Sequence, residues 1–447
     1  MTLLGYGEVI RWRRVEKYRD FEILFNTRNN DLCTFRFTAG SKAERLTCWS
    51  ETDHDWLYVS KCVLCVEAGV DLNTISDDIE VYRMDTHVYP GHCRMLLERS
   101  NSTRTRSIEF HNALCYDGKG NCLLSSKLFL DEKSKQNKNK QVITLERAGP
   151  SLPILSGLVF TIDAVFAVRC QCPGILHRWA KRSRQWPPPV VVQKVVSMGS
   201  IVTPVGFKGS ESKHLEWRIC FNMGETELVN NLNSTRAKLY VILKMIVHEV
   251  LKPDNKEMTS YVLKNVIFWQ AESNSPATYQ EKHLIHWLHD ALETLRTAIS
   301  STHLPYYIIP ERNLLAACGL QDKQQRQWVA DITDMMEEGP RVILRLPKIR
   351  QAIICHQEPM LWFSRRRMGI EQLMLEATNR ITQLSENGEW DFPDIILPEI
   401  WRRWGVILRE VHFRMFMEGC IVNNFNYLFM EGCTVNDFNY LLQRILM

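Results

Sequence analysis

One carboxylate constrains this chain more than any other residue. Asp163 sits inside GLVFTIDAVFAV, Gly157 to Val168, where Leu158, Phe160, Ile162, Ala164, Phe166 and Val168 alternate with Val159, Thr161, Asp163, Val165 and Ala167. Residues two apart share a face of a strand, so the run reads as a buried strand with an acid at its centre. A carboxylate in such a place is expensive to bury unpaired. It requires a cation, a hydrogen-bond network or an open cleft.

A second stretch supplies a reason. AGSKAERLTCWSETDHDWLYV runs from Ala39 to Val59 and carries Gly40-Ser41, then Asp53 and Asp55 with one residue between them. Strand alternation puts Asp53, Asp55, Leu57 and Val59 on one face and His54, Trp56 and Tyr58 on the other. Two carboxylates on one face repel, and a divalent cation with a taste for hard oxygen removes that cost. A loop with both acids facing water is the competing reading.

At 447 residues the chain exceeds the usual size of one domain, and 45% hydrophobic content is ample for a folded core. A net charge of +4 is too slight to imply nucleic-acid binding without a local basic patch. The 14 cysteines are scattered, and MTLLGYGEVIRWRRVEKYR reaches charge before it builds a signal core, so reduced thiols in the cytoplasm are expected. No run approaches the roughly 20 apolar residues of a membrane span. Cys62-x-x-Cys65 and Cys170-x-Cys172 lack paired metal-ligand spacing and read as buried thiols.

Strand-like signals dominate the first half. SKQNKNKQ, Ser134 to Gln141, reads as an exposed loop between a strand-like piece within Leu114–Leu130 and another at Val142–Leu145. From Ser234 the period becomes helical: Leu239, Ile242, Leu243, Ile246, Val247 and Val250, then Leu284, Trp287, Leu288, Ala291, Leu292, Leu295 and Ile299. An α+β architecture follows, a mixed twisted sheet lobe leading into a helical bundle lobe. Two clusters mix basic and aromatic residues: Arg11, Arg13, Arg14, Lys17 and Arg19 around Trp12 and Tyr18, and Arg178, Lys181, Arg182 and Arg184 around Trp179 and Trp186. Each reads either as a nucleic-acid patch or as a helix face whose aromatics pack on the body. FMEGCIVNNFNYL at 416–428 is repeated as FMEGCTVNDFNYL at 429–441, too short an array for a solenoid.

Three carboxylates from two strands can hold two divalent ions, Mg²⁺ or Mn²⁺, about 3.5–4 Å apart. One ion would activate a hydroxyl and the other would neutralise a triphosphate and its leaving pyrophosphate. Gly40 would let the backbone approach a phosphate, and the Ser41 hydroxyl would donate to it.

The order Gly-Ser, then Asp-x-Asp, then a third aspartate in a later strand resembles the nucleotidyltransferase superfamily. Within it, the chain is most similar to the cyclic GMP-AMP synthase-like branch, the male-abnormal-twenty-one (Mab-21) family. HLEWRICFNMGE, KLYVILKMIVHEVL, TSYVLKNVIFW and LPYYIIPERNLL resemble further family segments in the same order, so the likeness covers about Phe37 to Leu315. The resemblance implies a bilobal nucleotidyltransferase fold, with a catalytic lobe at 1–233, a helical lobe at 234–380 and an extension at 381–447. It implies metal-binding catalytic roles for Asp53, Asp55 and Asp163. Gly40, Ser41, Lys244 and Ser260 would serve the donor triphosphate, Tyr261 would stack on the donor base, and Arg218 would contact the acceptor base. From the residues alone, Arg218 is equally a buried ion-pair partner, Lys244 a solvated helix residue and Tyr261 a core aromatic.

Two departures qualify the likeness. The stretch Asn222–Lys238 holds no cysteine or histidine, so the zinc insertion of the family's vertebrate DNA sensor is not expected, and no zinc with it. Only 39 residues precede Gly40, which implies a shorter basic start than in that sensor. The expected activity is synthesis of a cyclic dinucleotide from ATP and GTP, read by a STING-type receptor. The missing zinc element and the basic clusters favour double-stranded RNA over DNA as activator. The alternatives are a catalytically silent signalling or developmental protein of the same fold, and a tailing transferase.

Overall fold

A computed structural model describes the chain except residues 29–32, 48–53, 102–107, 119, 140–148, 157–159, 253–257, 355–356, 387–388, 391–393 and 418–447. The first part alternates short helices with strands: α1 (Glu8–Arg28), β1 (Thr34–Thr38), α2 (Gly40–Ala43), β2 (His54–Val66), β3 (Glu80–Asp85), β4 (His92–Arg99), α3 (Ile108–His111), β5 (Leu114–Tyr116), β6 (Cys122–Leu124), α4 (Ser126–Asn139), β7 (Ser151–Ser156) and β8 (Phe160–Gln171). Then come α5 (Pro173–Ala180), α6 (Pro189–Met198), β9 (Ser200–Thr203), β10 (Glu216–Cys220) and α7 (Asn222–Asn230). The rest is mainly helical: α8 (Ser234–Ile246), α9 (Ser260–Ser273), α10 (Leu284–Ser301), α11 (Asp322–Glu337), α12 (Pro347–Ile354), α13 (Gln357–Leu384) and α14 (Ile396–Met417).

The strands form one mixed sheet. Its centre is the long parallel pair β2–β8, in which His54 faces Ile162, Asp55 faces Asp163 and Leu57 faces Val165. β1 covers the first half of β2 antiparallel, and β3 runs parallel to its second half. From β3 the ladder continues through β4, β10 and β9 back to β8, so the hydrogen-bonded strands close a ring. Alternation explains the faces. Leu57 and Val59 are buried with Ala167, Ile201 and Cys220, and Val165 packs against them. Trp56 turns to the opposite side, where the Arg36 guanidinium lies 4.1 Å from its ring, 3.2 Å from Phe25 and 4.4 Å from Phe21. Burial pulls the Arg36 pKa down to about 10.

The helical periods predicted from Ser234 onward are present. Leu239, Ile242, Leu243 and Ile246 are buried on α8, and Trp287, Leu288, Ala291, Leu292, Leu295 and Ile299 on α10. Asn233 caps α8, its Oδ1 accepting from the Arg236 N–H at 2.9 Å. The main apolar cluster runs from sheet residues such as Val63, Met95 and Val202 into Leu239, Leu263 and Leu288. Helix α1 closes the outer face of β1, where the Asn26 amide bonds both the N–H and the C=O of Arg36 at 2.8 Å.

The expected loop at Ser134–Gln141 is corrected over the described part: Ser134–Asn139 complete α4. The helix is held by Lys133, whose Nζ donates to Glu109 Oε1 at 2.8 Å, and by Gln136, which donates to Glu109 Oε2 at 3.1 Å. The strand expected at 142–145 and most of the duplicated tail lie outside the described residues. Cys65, Cys170 and Cys172 are buried free thiols and Cys62 is half-buried. No helix among the described residues is long and apolar enough to cross a membrane.

Candidate active site

The parallel β2–β8 register decides the acid geometry. Asp55 and Asp163 are direct Cα partners, so their side chains leave neighbouring strands on the same face, strands being about 4.8 Å apart. Asp53 lies outside the described residues. Ala39 donates its N–H to the Asp55 carbonyl at 2.8 Å and so brings the start of α2 beside the acid. Gly40 then turns with φ of +61°, and a Cβ placed on it would lie 2.0 Å from Asp55 Oδ2. Glycine meets two demands here, a left-handed backbone and room for a carboxylate.

The next residue joins a helix from the far half of the chain. Lys244 Nζ donates to Ser41 Oγ at 2.9 Å, placing an ammonium and a hydroxyl together beside the acids. Glu44, at the end of α2, is tied down in a buried network. Lys264 Nζ bonds Glu44 Oε1 at 2.9 Å and Glu225 Oε2 at 2.8 Å. Tyr306 donates to Glu225 Oε1 at 2.6 Å, and the Tyr240 hydroxyl lies 3.2 Å from both Glu44 Oε2 and the Ser260 carbonyl. Burial alone would strip the Lys264 charge, but Glu225 and Glu44 outweigh it and hold the ammonium well above its ordinary range.

Ser260 opens α9 and is exposed, and Tyr261 follows it half-buried. The Tyr261 ring lies 5.7 Å from that of Tyr306, with Lys264 Nζ 5.2 Å from its centre. Arg218 on β10 pairs with His92 across the sheet and interacts electrostatically with Tyr261 and Glu225. Thus the acids, Gly40, Ser41 and Lys244 meet at one end, and Glu44–Lys264–Glu225 connects them to Tyr261 and Arg218. Sequence reasoning missed Glu44, Glu225 and Lys264. All three lie within the motifs quoted above, and for Lys264 the available signal was a charge among the apolar residues of TSYVLKNVIFW.

Among the described residues no three His, Cys, Asp or Glu side chains converge as a metal centre. Asp55 and Asp163 supply paired hard oxygen donors, the chemistry that magnesium or manganese takes. The residues therefore fit such an ion, with Asp53 as the further carboxylate by its place in the sequence.

The basic-aromatic clusters are largely turned inward. Arg14 makes a buried two-pronged pair with Glu371 at 2.7 and 2.9 Å, linking α1 to α13. Arg182 bonds Glu272 at 3.0 Å and lies 4.6 Å from the Trp269 ring, and Arg184 lies 4.5 Å from Trp179. Arg13, Arg19, Arg178 and Lys181 remain exposed, and Arg13 bonds Gln372.

Residues 235–334, from the start of α8 into α11, match the family model described as the Mab-21 protein HhH/H2TH-like domain. This segment contributes Lys244, Ser260, Tyr261, Lys264 and Tyr306 to the site. The likeness is of this segment to that domain, and it covers residues 235–334 of the 447.

Proposed function

We propose that the protein is a metal-dependent nucleotidyltransferase that joins ATP and GTP into a cyclic dinucleotide. The observation that carries this reading is the meeting of Asp55, Asp163, Gly40, Ser41 and Lys244 at one end of the β2–β8 pair. Divalent ions held by carboxylates neutralise a triphosphate and lower the pKa of an attacking hydroxyl. Asp53, Asp55 and Asp163 are the residues that would hold them. Gly40 leaves room for the Asp55 carboxylate. Ser41 Oγ and Lys244 Nζ bind the triphosphate of the donor, while the Lys264 network keeps α2 in place. Tyr261 offers a ring face to a base, and Arg218 offers a guanidinium fork. Positioning and charge are the protein's whole contribution in transfer of this kind.

A double-stranded RNA trigger belongs to the same reading, with Arg13, Arg19, Arg178 and Lys181 as exposed cations for phosphates. The test is incubation of the purified chain with ATP, GTP and Mn²⁺ or Mg²⁺, with and without double-stranded RNA or DNA. A cyclic product that disappears in Asp55→Asn and Asp163→Asn supports the transferase. A ladder of products indicates tailing chemistry, and no product under any condition indicates a silent binding protein.

A further inference from the structure

Among the described residues Arg312 is a buried guanidinium without a counter-ion. It is 8% exposed, and none of its guanidinium nitrogens makes a hydrogen bond or ion pair to a described residue; Nη1 is fully enclosed without an acceptor. The surroundings nevertheless hold it closely. Its carbonyl accepts from the Tyr306 N–H at 2.8 Å, and Tyr89 clasps the backbone of Asn313 with two contacts of 3.2 Å. Gly91, at φ of +76°, lets the stem pass: a Cβ there would lie 2.5 Å from Arg312 Cδ. The guanidinium carbon sits 5.2 Å from the Tyr306 ring centre and 5.9 Å from that of Tyr261.

Arginine cannot shed its proton, so burial must be offset by a partner. The neighbours do not offset it. His92 faces both Arg218 and Arg312, and burial together with those two cations lowers its pKa to about 4, so it is neutral at pH 7. Glu225 already receives Lys264 and Tyr306. Glu216, the remaining carboxylate facing His92, is taken by the Phe207 N–H and the Ser210 and Ser212 hydroxyls. A planar fork without an acceptor beside an aromatic face suits a phosphate group.

We propose that Arg312, with Arg218 beside it, forms an anion subsite for a phosphate of the second nucleotide, adjoining Tyr261. The proposal rests on the nucleotide-binding reading above and assigns Arg312 a role in substrate recognition. Calorimetric titration with the α,β-methylene analogue of GTP, which cannot be transferred, and with guanosine tests it. In Arg312→Met, affinity for the analogue is expected to fall at least about tenfold, the size of a lost charged hydrogen bond, with guanosine binding unchanged. Equal loss for both ligands, unchanged analogue binding, or no analogue binding by the wild type overturns the subsite. Melting curves report whether Arg312→Met folds. If it does not, Arg312→Lys decides: it keeps the charge without the fork, and analogue affinity equal to wild type overturns the proposal. Arg312-dependent analogue binding without cyclic product would remove the transferase and leave the subsite. Cyclic product with Arg312-independent binding would do the reverse.

Discussion

Lys244 Nζ donates to Ser41 Oγ at 2.9 Å across 203 positions of sequence. The bond brings α8 onto the two-residue motif that opens α2 and sets a cation beside a hydroxyl where a triphosphate would lie. Ser41→Ala and Lys244→Met are each expected to weaken ATP binding about tenfold, as charge-assisted contacts do. Because the two side chains touch, the double variant should lose less than the product of the single losses. Titration of all four proteins closes the cycle.

Gly40→Ala combines a clash with a disallowed backbone. The new methyl would meet Asp55 Oδ2 at 2.0 Å, and φ is +61°. We expect a loss of about 1–3 kcal/mol in urea denaturation, together with loss of product formation through displacement of the carboxylate. A variant as stable and active as the wild type would show that Asp55 needs no such space.

Lys264 is the keystone of the buried network, with Glu44 at 4% and Glu225 at 2% exposure. Lys264→Met leaves both carboxylates buried without their cation and should cost about 3–5 kcal/mol. Adding Glu44→Gln and Glu225→Gln to the same protein removes those charges and should restore much of the loss. Denaturant midpoints of the single and triple variants measure it.

Acid sensitivity follows from two buried histidines. Burial, then Lys42, lowers His54 from 6.5 to about 3, and burial, then Arg312 and Arg218, lowers His92 from 6.5 to about 4. Above pH 6.5 both are neutral, folded or unfolded, and add no pH dependence. Below it the unfolded chain takes up protons that the folded chain refuses, so stability falls by about 1.4 kcal/mol per pH unit for each histidine. His92's contribution is complete near pH 4 and His54's continues toward pH 3. Unfolding free energies measured between pH 7 and 4 should flatten in His54→Gln and in His92→Gln.

The acid site was legible to the extent that it is periodic. Alternation alone put Asp55 with Leu57 and Val59, and Asp163 with Val165 and Ala167, and one buried cluster joins the four apolar residues of those two sets. The helical spacing of α8 and α10 was equally plain. The reading failed at Ser134–Asn139, where a polar, low-complexity composition suggested a loop. Glu109, reached by Lys133 and Gln136, keeps the helix going. At the basic clusters it left two readings open, because the carboxylates that occupy Arg14 and Arg182 lie 357 and 90 positions away.

Face membership is a local property: a strand repeats every two residues and a helix every 3.6, whatever surrounds them. Which faces meet is not local. The pairing of Asp55 with Asp163, the bond from Lys244 to Ser41, and the enclosure of Arg312 between Gly91 and two tyrosines each depend on the sheet closing and α8–α10 packing against it. Side chains distant in sequence acquire their charge environment only when that packing excludes water, and the same exclusion sets the cost of leaving any of them without a partner.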